Sequence, residues 1–369
     1  MNRRQMVIGG GVLAVGGAAA FGFSDTGSMT DYAARMAAQR AVLAEHPQLV
    51  DLVRYATLAA SGHNTQPWRF HLERRRITIL PDFERRTPVV DPDDHHLFVS
   101  LGCAAENLAL AAAARGHGGE LRLDSDGEGA VHFDFDTASP VRSSLFEAIP
   151  KRQSTRADYD GRSVAAADLA MLAAAAQVPG VDLILLSERS RVEQVLDLVL
   201  VGNRAQMADP AFVHELKRWI RFNPRQALEW GDGLFSATTG NPTAPAWLGK
   251  LLFDLAFRVA SENDRYTSQI RSSAGIAVFV SERNDKAHWV QVGRACQRFA
   301  LQATALGLKH AFINQPVEVV ALQSELARLV GLPGRRPDVV LRFGYGIEMP
   351  FSARRPVNAV VSPLSARSE

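Results

Sequence analysis

Two long stretches of the chain carry the same residue pattern, 191 positions apart (98 and 289, 112 and 303). Residues 96–115 and 287–306 both place apolar side chains at helical spacing, which gives each helix one apolar stripe. The pattern predicts two copies of one unit whose long helices pack together as a central seam. The corresponding positions are Phe98 and Trp289, Leu101 and Val292, Ala105 and Cys296, Leu108 and Phe299, Ala112 and Ala303, Gly102 and Gly293, and Gly116 and Gly307.

Shorter elements repeat around the long helices. Residues 52–60 and 169–177 resemble each other as helices that precede a strand. For the repeat as a whole, chance similarity between two alanine-rich helices is the alternative. The repeat predicts an α+β chain, an α/β sandwich of two fused units over residues 29–145 and 146–369. The expected strands are 68–73, 76–80, 120–123, 131–135, 182–186, 310–313 and 339–343, after a leading helix over 29–50.

The second unit is longer than the first because it contains an insertion over roughly residues 190–270. This segment mixes aromatic residues such as Trp219 and Trp230 with glycine and proline turns. Such a mixture is typical of a lid or pocket wall, and a helical excursion on the surface is the alternative.

The first 28 residues do not belong to this fold. Arg3 and Arg4 precede a stretch over 6–23 that contains no charged residue. The pattern indicates a twin-arginine signal segment, hence export to the periplasm or cell envelope by the Tat machinery. An uncleaved membrane anchor is the alternative.

Charge and cysteine content narrow the function. A net charge of +2 over 369 residues gives no reason to expect nucleic-acid binding. Cys103 and Cys296 lie in apolar helical patterns and are expected to be buried free thiols, with a disulfide left open. Residues 91–96 hold metal-ligating residue types, but they precede a helix and are expected to cap it, so no metal site is predicted.

Polar groups that could face a ligand are concentrated in three places. Residues 61–70 follow a helix and form a turn with Gly62 and Asn64 before Pro67 directs the chain into a strand. In an extended backbone Arg152, Ser154 and Arg156 share one face, and two guanidinium groups beside a hydroxyl suit a phosphate. A second basic pair follows near the C-terminus at 354–355. Solvated basic segments are the alternative for both arginine groups.

These stretches resemble motifs of the nitroreductase family of flavoproteins. Residues 61–68 match S-x-x-N-x-Q-P-W, 152–156 match R-x-S-x-[RK], and 331–356 resemble its closing Gly-Leu-Pro turn, strand and basic pair. The resemblance implies a nitroreductase-like fold with bound FMN. The implied phosphate ligands are Arg152, Ser154, Arg156, Arg354 and Arg355. The implied neighbours of the ring are Ser61, Gly62, Asn64, Gln66, Asn314 and Gln315.

Each unit carries only part of this motif set. The turn at 61–68 lies in the first unit, and the arginines lie in the second, where residues 178–181 replace the turn. Sites of a nitroreductase homodimer draw on both subunits, so a fused pair of this kind would keep one complete site. That arrangement resembles the Acg-type branch of the family and implies a monomer that contains its own pseudo-dimer.

The resemblance implies an FMN-binding oxidoreductase. The flavin would transfer a hydride or electrons to a nitro compound, quinone or similar small acceptor, and NAD(P)H is a candidate donor. No side chain stands out as a catalytic acid or base. The alternatives are a flavin-storage protein whose lid shields FMN without turnover, and a flavinless structural pseudo-dimer.

Overall fold

The computed structural model describes residues 26–124 and 127–362. The predicted signal segment lies almost entirely outside these residues and stays a prediction. The first helix, α1 (Met29–Gln39), is capped by Ser28, whose hydroxyl oxygen accepts a hydrogen bond from the backbone N–H of Thr30 at 3.0 Å. The prediction of a single leading helix over 29–50 is wrong, because α1 ends at Gln39 and a turn separates it from α2 (Leu49–Thr57).

Two four-stranded antiparallel sheets form the framework. In chain order the strands are β1 (Trp68–Glu73), β2 (Arg76–Pro81), β3 (His117–Leu123), β4 (Val131–Thr137), β5 (Val181–Leu186), β6 (Ile220–Arg221), β7 (Leu234–Phe235), β8 (Gly275–Ser281), β9 (Lys309–Phe312) and β10 (Pro337–Gly344). The first sheet has the order β1-β2-β4-β3, and the second has the order β5-β8-β10-β9. The two short strands β6 and β7 pair separately in parallel.

Helices cover the sheets unequally. Beyond α1 and α2 they are α3 (His95–Ala113), α4 (Ser144–Ala148), α5 (Ala166–Ala175), α6 (Arg189–Ala208), α7 (Pro210–Arg218), α8 (Pro224–Trp230), α9 (Ala246–Ala256), α10 (Val259–Arg271), α11 (Lys286–Ala305), α12 (Gln315–Glu318) and α13 (Val320–Leu329). The second sheet is covered on both faces, by α11 on one side and by α6 and α13 on the other. All residues of β8 and β10 are therefore buried.

The two long helices pack against each other as the repeat predicted. α3 and α11 meet where Gly102 faces Gly293, the glycine pair that recurs in the sequence. Beside this contact the buried carboxylate of Glu106 on α3 accepts hydrogen bonds from Arg294 at 2.9 Å and from Arg298 at 2.7 Å on α11. The α+β class and the central seam are confirmed.

Helix α3 is the one helix in the described part of the chain that is long and apolar enough to cross a membrane. In the most apolar 18-residue stretch of this helix, 78% is buried inside the fold. Its apolar character is accounted for by the seam and the first sheet, on which it packs.

The segment expected as an insertion has a core part and a lid part. Val192, Val195 and Val199 of α6 are fully buried against the second sheet, so α6 belongs to the core. Residues 209–258, called the lid segment below, contain α7, α8 and α9 with the short strands β6 and β7. The boundaries proposed for the two units stay a prediction.

The two cysteines meet in the seam. Cys103 and Cys296 are free and buried, as expected from their apolar surroundings. A hydrogen bond with Cys103, together with burial, holds the pKa of the Cys296 thiol well above its usual value.

Candidate functional site

Four arginines converge on a small pocket. Arg40 follows α1, Arg152 and Arg156 come from the segment after α4, and Arg354 comes from the segment after β10. The side chains of Arg40, Arg152 and Arg354 are buried, at 8%, 3% and 4% exposure. Among the residues that the structure describes, no carboxylate lines this pocket. The pocket therefore concentrates positive charge that no carboxylate among its described lining residues neutralises.

Backbone carbonyls at the end of α2 hold two of these arginines in place. Arg354 donates to the carbonyls of Thr57 at 2.7 Å and of Ala59 at 3.0 Å, and Arg152 donates to that of Leu58 at 3.0 Å. A helix C-terminus carries partial negative charge and exposed carbonyls, so it is a favourable neighbour for cations. The arginines are thus anchored by dipoles, which leave their net charge free to act on a ligand.

Several guanidinium groups retain unused donors. In the described part of the chain, Nε and Nη1 of both Arg40 and Arg152 are buried without a hydrogen-bond partner. Burial and the neighbouring charge of Arg152 lower the pKa of Arg40 to about 9, and burial is the largest cause that lowers the pKa of Arg152 to about 10. Buried, unpaired donors and like charges are unfavourable on their own, so the pocket is built for an anion that accepts these hydrogen bonds.

The turn at 61–66 forms the opposite wall of the pocket. His63, Asn64 and Gln66 adopt positive φ values of 46°, 55° and 54°, which non-glycine residues rarely do. Asn64 holds this conformation by donating to the carbonyls of Gly233 at 3.0 Å and Ala353 at 3.1 Å, while its Oδ1 accepts from Arg354 at 3.0 Å. Strained backbone of this kind is concentrated at functional sites, where the surrounding structure enforces it.

A larger cavity of about 600 Å³ adjoins the arginine pocket. Both are lined by Ala60, Ser61, Arg156, Leu234 and Phe312, so the two form one continuous site. The lid segment supplies an aromatic and aliphatic wall that includes Phe212, Leu216, Phe222, Leu252, Phe253 and Phe257. The combined site has a cationic end and a largely apolar body.

The structure brings most of the predicted site residues together. Arg152, Ser154, Arg156, Arg354, Ser61 and Asn64 line the arginine pocket, and Ser61, Gly62, Arg156, Asn314 and Gln315 line the larger cavity. Asn314 also ties two elements, because its Oδ1 accepts from the backbone N–H of Val340 at 2.9 Å. Gln315 Oε1 is buried and has no partner among the described residues.

Two predicted residues lie outside both pockets. Arg355 donates to Asp82 at 3.4 Å and to the Gln66 carbonyl at 3.3 Å, and its backbone N–H donates to Gln66 Oε1 at 2.9 Å. Adjacent residues of an extended chain point in opposite directions, so Arg354 enters the pocket and Arg355 does not. Gln66 and Arg355 therefore brace the turn from behind.

Sequence comparison shows what this chain resembles over most of its length. No family model matches the chain. A putative NAD(P)H nitroreductase of Mycobacterium tuberculosis is 26% identical over 321 residues, which is 85% of this chain and 87% of that protein. The putative NAD(P)H nitroreductase acg of the same organism is 23% identical over 325 residues, 84% of this chain and 93% of that protein. The chain is homologous to these Acg-type putative NAD(P)H nitroreductases over 85% of its length. The resemblance predicted from the motifs is confirmed.

Solved structures of nitroreductases also align with the chain. A nitroreductase with bound FMN from Desulfitobacterium hafniense covers 57% of this chain and 94% of its own, at 15% identity and a TM-score of 0.37. An FMN-dependent nitroreductase from Mycobacterium smegmatis in complex with NADPH covers 59% and 91%, at 14% identity and a TM-score of 0.37.

Three residues of the candidate site were not predicted from the sequence, namely Arg40, His63 and Glu318. Arg40 has no motif around it and reaches the pocket from the end of α1. His63 and Glu318 line the larger cavity. Burial, reinforced by the charge of Arg156, lowers the pKa of His63 to about 4, and burial raises the pKa of Glu318. At neutral pH the first is an uncharged imidazole, and the second holds a proton more readily than an ordinary carboxyl.

Residues 91–96 are expected to cap α3, and of these Asp91 does so. Asp91, His95 and His96 offer ligand atoms within 4.8 Å of one another. The Asp91 carboxylate accepts from the backbone N–H groups of His96 and Leu97, both at 3.0 Å, while His95 Nε2 is bonded to Asp338 at 2.8 Å. Asp91 therefore satisfies the helix terminus, as a capping residue does.

Proposed function

We propose that this protein is an FMN-dependent oxidoreductase of nitroreductase type. The observation that carries the proposal is the buried arginine pocket, which is joined to a cavity of about 600 Å³. None of the described residues that line the arginine pocket is a carboxylate. FMN has the same division into a dianionic phosphate and a planar, largely apolar ring. The mycobacterial homologues, which are named putative NAD(P)H nitroreductases, support this proposal.

The donor chemistry of the pocket fits a phosphate. Arg40 and Arg152 each present two buried donors that lack partners in the described chain. Arginine binds phosphate through such paired N–H groups, and the bonds are strong because both partners are charged. In this proposal Arg40, Arg152, Arg156, Arg354 and Ser154 hold the phosphate, and Arg355 does not.

The larger cavity fits the ring and an acceptor. FMN would supply the hydride and electron transfer when bound, and the protein would bind it, orient it and exclude water. Ser61, Gly62, Asn314 and Gln315 line this cavity and would match polar atoms of the ring, and Gln315 Oε1 has no partner among the described residues. Glu318 lies at the cavity wall, and because burial raises the pKa of its carboxyl it can give a proton to a reduced acceptor more readily than an ordinary carboxyl does.

We infer that the acceptor is a nitro compound, quinone or similar planar molecule, with NAD(P)H as the donor. The aromatic side chains Phe212, Phe222, Phe253 and Phe257 favour flat, apolar ligands. We further propose that the chain works as a monomer, because both units contribute to one site, and that it is exported by the twin-arginine route.

The lid segment also favours a second candidate, flavin storage. Aromatic residues of the lid segment form a wall of the cavity into which the ring would fit. A lid that stays closed would shield the flavin and prevent turnover. Enzyme and storage protein bind FMN with the same residues and differ only in access to the ring.

The visible spectrum of the purified protein during anaerobic NADPH addition separates these candidates. A flavin spectrum that bleaches promptly and returns with a nitroaromatic or a quinone supports the enzyme. A spectrum that bleaches only with dithionite supports storage. No flavin spectrum after incubation with FMN would overturn the proposal.

A further inference from the structure

The outer face of helix α9 in the lid segment is apolar and uncovered. Trp247, Leu251 and Leu255 are 66%, 50% and 54% exposed. Their spacing of four residues places them on one stripe of the helix, called the α9 stripe below. The inner side of the same helix lines the cavity through Phe253 and Ala256. A surface helix normally presents polar residues outward, so the α9 stripe is suited to contact a partner.

The first described residues are bonded to the same segment as the start of this helix. The carbonyl of Thr26 accepts from the backbone N–H of Arg225 at 2.9 Å, in the first turn of α8. Asn223, which caps α8, donates to the carbonyl of Ala244 at 3.2 Å, two residues before α9 begins. Residue 26 and the start of α9 are thus tied to the same short stretch, 223–225.

The sequence before residue 26 favours lipid as that partner. Arg3 and Arg4 precede residues 6–23, which carry no charge and are rich in glycine, alanine and valine. A stretch of about 18 apolar residues is long enough to enter a bilayer. If it does so, residue 26 would hold the bilayer near residues 223–225, to which the start of α9 is also bonded.

The composition of α9 matches an interfacial helix. A tryptophan lies at one end of its stripe, and tryptophan is enriched at the membrane–water boundary. Lys250 within the helix and Arg258 just after it are exposed and can reach anionic headgroups, while Asp254, the one acidic residue of the helix, is paired with Lys217 at 2.6 Å.

We propose that the α9 stripe docks on the surface of a lipid bilayer to which the N-terminal segment attaches the chain. The lid segment then lies between the bilayer and the cavity. A second copy of this chain is the rival occupant of the α9 stripe, and the experiment below distinguishes it from lipid.

The test uses the full chain in vesicles of phosphatidylethanolamine and phosphatidylglycerol, with and without brominated acyl chains. Brominated lipid should quench tryptophan emission of the wild type. Trp247→Phe keeps the stripe apolar and should bind the vesicles while losing most of the quenched component. Leu251→Glu/Leu255→Glu should lose the Trp247 quenching even though the N-terminal segment is intact.

The matched control is Val42→Glu/Val320→Glu, which adds the same two charges at positions 82% and 73% exposed elsewhere. It should be quenched like the wild type. Equal quenching in the wild type, Trp247→Phe and the stripe variant would overturn the proposal. So would sedimentation without lipid that shows a dimer for the wild type and a monomer only for the stripe variant.

Discussion

Gly102 and Gly293 face each other across the central helices with no room for a side chain between them. A Cβ atom added to Gly102 would lie 2.0 Å from the carbonyl oxygen of Val290, and one added to Gly293 would lie 2.0 Å from that of Val99. The two glycines occupy equivalent positions in the repeat. The structure therefore depends on a pair of small residues that brings the backbones of α3 and α11 into contact.

Replacing either glycine with alanine should force the two helices apart. Overpacking of this kind typically costs about 1–3 kcal/mol, and here the obstacle is backbone and cannot rotate away. We expect Gly102→Ala and Gly293→Ala to lower the free energy of unfolding measured by urea denaturation. Gly62→Ala is the control, because a Cβ there meets nothing within 4 Å. Unchanged stability in both seam variants would contradict this account.

The arginine pocket allows a test that compares residues of like charge. Arg40→Met removes charged hydrogen bonds worth roughly 1.5–3 kcal/mol, so FMN should bind about ten- to a hundred-fold more weakly. Arg355→Met is the matched control and should bind FMN like the wild type, because Arg355 contacts Asp82 and Gln66 outside the pocket. Titration of the flavin-free proteins with FMN, followed by fluorescence, measures both constants. Equal weakening in the two variants would remove the distinction between these residues.

Arg40→Met should also change the thermal stability of the flavin-free protein. Arg40 lies beside Arg152, and each buried charge is unfavourable to its neighbour. Removing one of them should raise the melting temperature of the flavin-free protein while it lowers the increase produced by FMN. Binding sites often carry such a conflict between stability and function.

The seam was predictable because it is encoded by a long periodic pattern. Ten apolar positions at one spacing specify two helices and the faces that they bury, as Leu101 and Val292 illustrate. The leading helix was mispredicted because propensity over 29–50 does not reveal where tertiary contacts end α1. The sequence pattern assigns α6 to the insertion, because a buried helix and a surface helix differ in their packing partners and the sequence does not show those partners.

The site was only partly predictable for a related reason. Local motifs mark Arg152, Ser154 and Arg156, which share one extended segment. Arg40 has no such context, because a single arginine at the end of a helix is ordinary on a protein surface. The pair at 354–355 was recognised, but the sequence does not specify which member points inward.

Acid should destabilise the flavin-free protein through His310. This side chain is fully buried, neither ring nitrogen has a partner in the described chain, and burial with the nearby Arg152 lowers its pKa to about 3. Between pH 6.5 and 3 the unfolded chain binds a proton that the folded chain does not. Stability therefore falls with decreasing pH, by roughly 1.4 kcal/mol per unit for one such group.

Urea denaturation at pH 7.5 and pH 5.0 checks this expectation. His310→Phe should reduce the loss of stability between the two pH values. The exposed His46→Phe serves as the control and should leave the loss unchanged. An identical loss in the wild type and in His310→Phe would mean that other groups are responsible.

The position of the lid depends on the close contact between Gly249 of α9 and Phe222. A Cβ atom at Gly249 would lie 2.5 Å from the Phe222 ring, which itself lines the cavity. We expect Gly249→Ala to displace α9, so that residues 246–256 exchange their amide hydrogens faster and bound FMN dissociates faster. If the wild type is a storage protein, the same change should also let NADPH reduce the flavin, because the shielding wall is disturbed. Faster hydrogen exchange without any change in flavin release or reduction would show that α9 does not control access to the cavity.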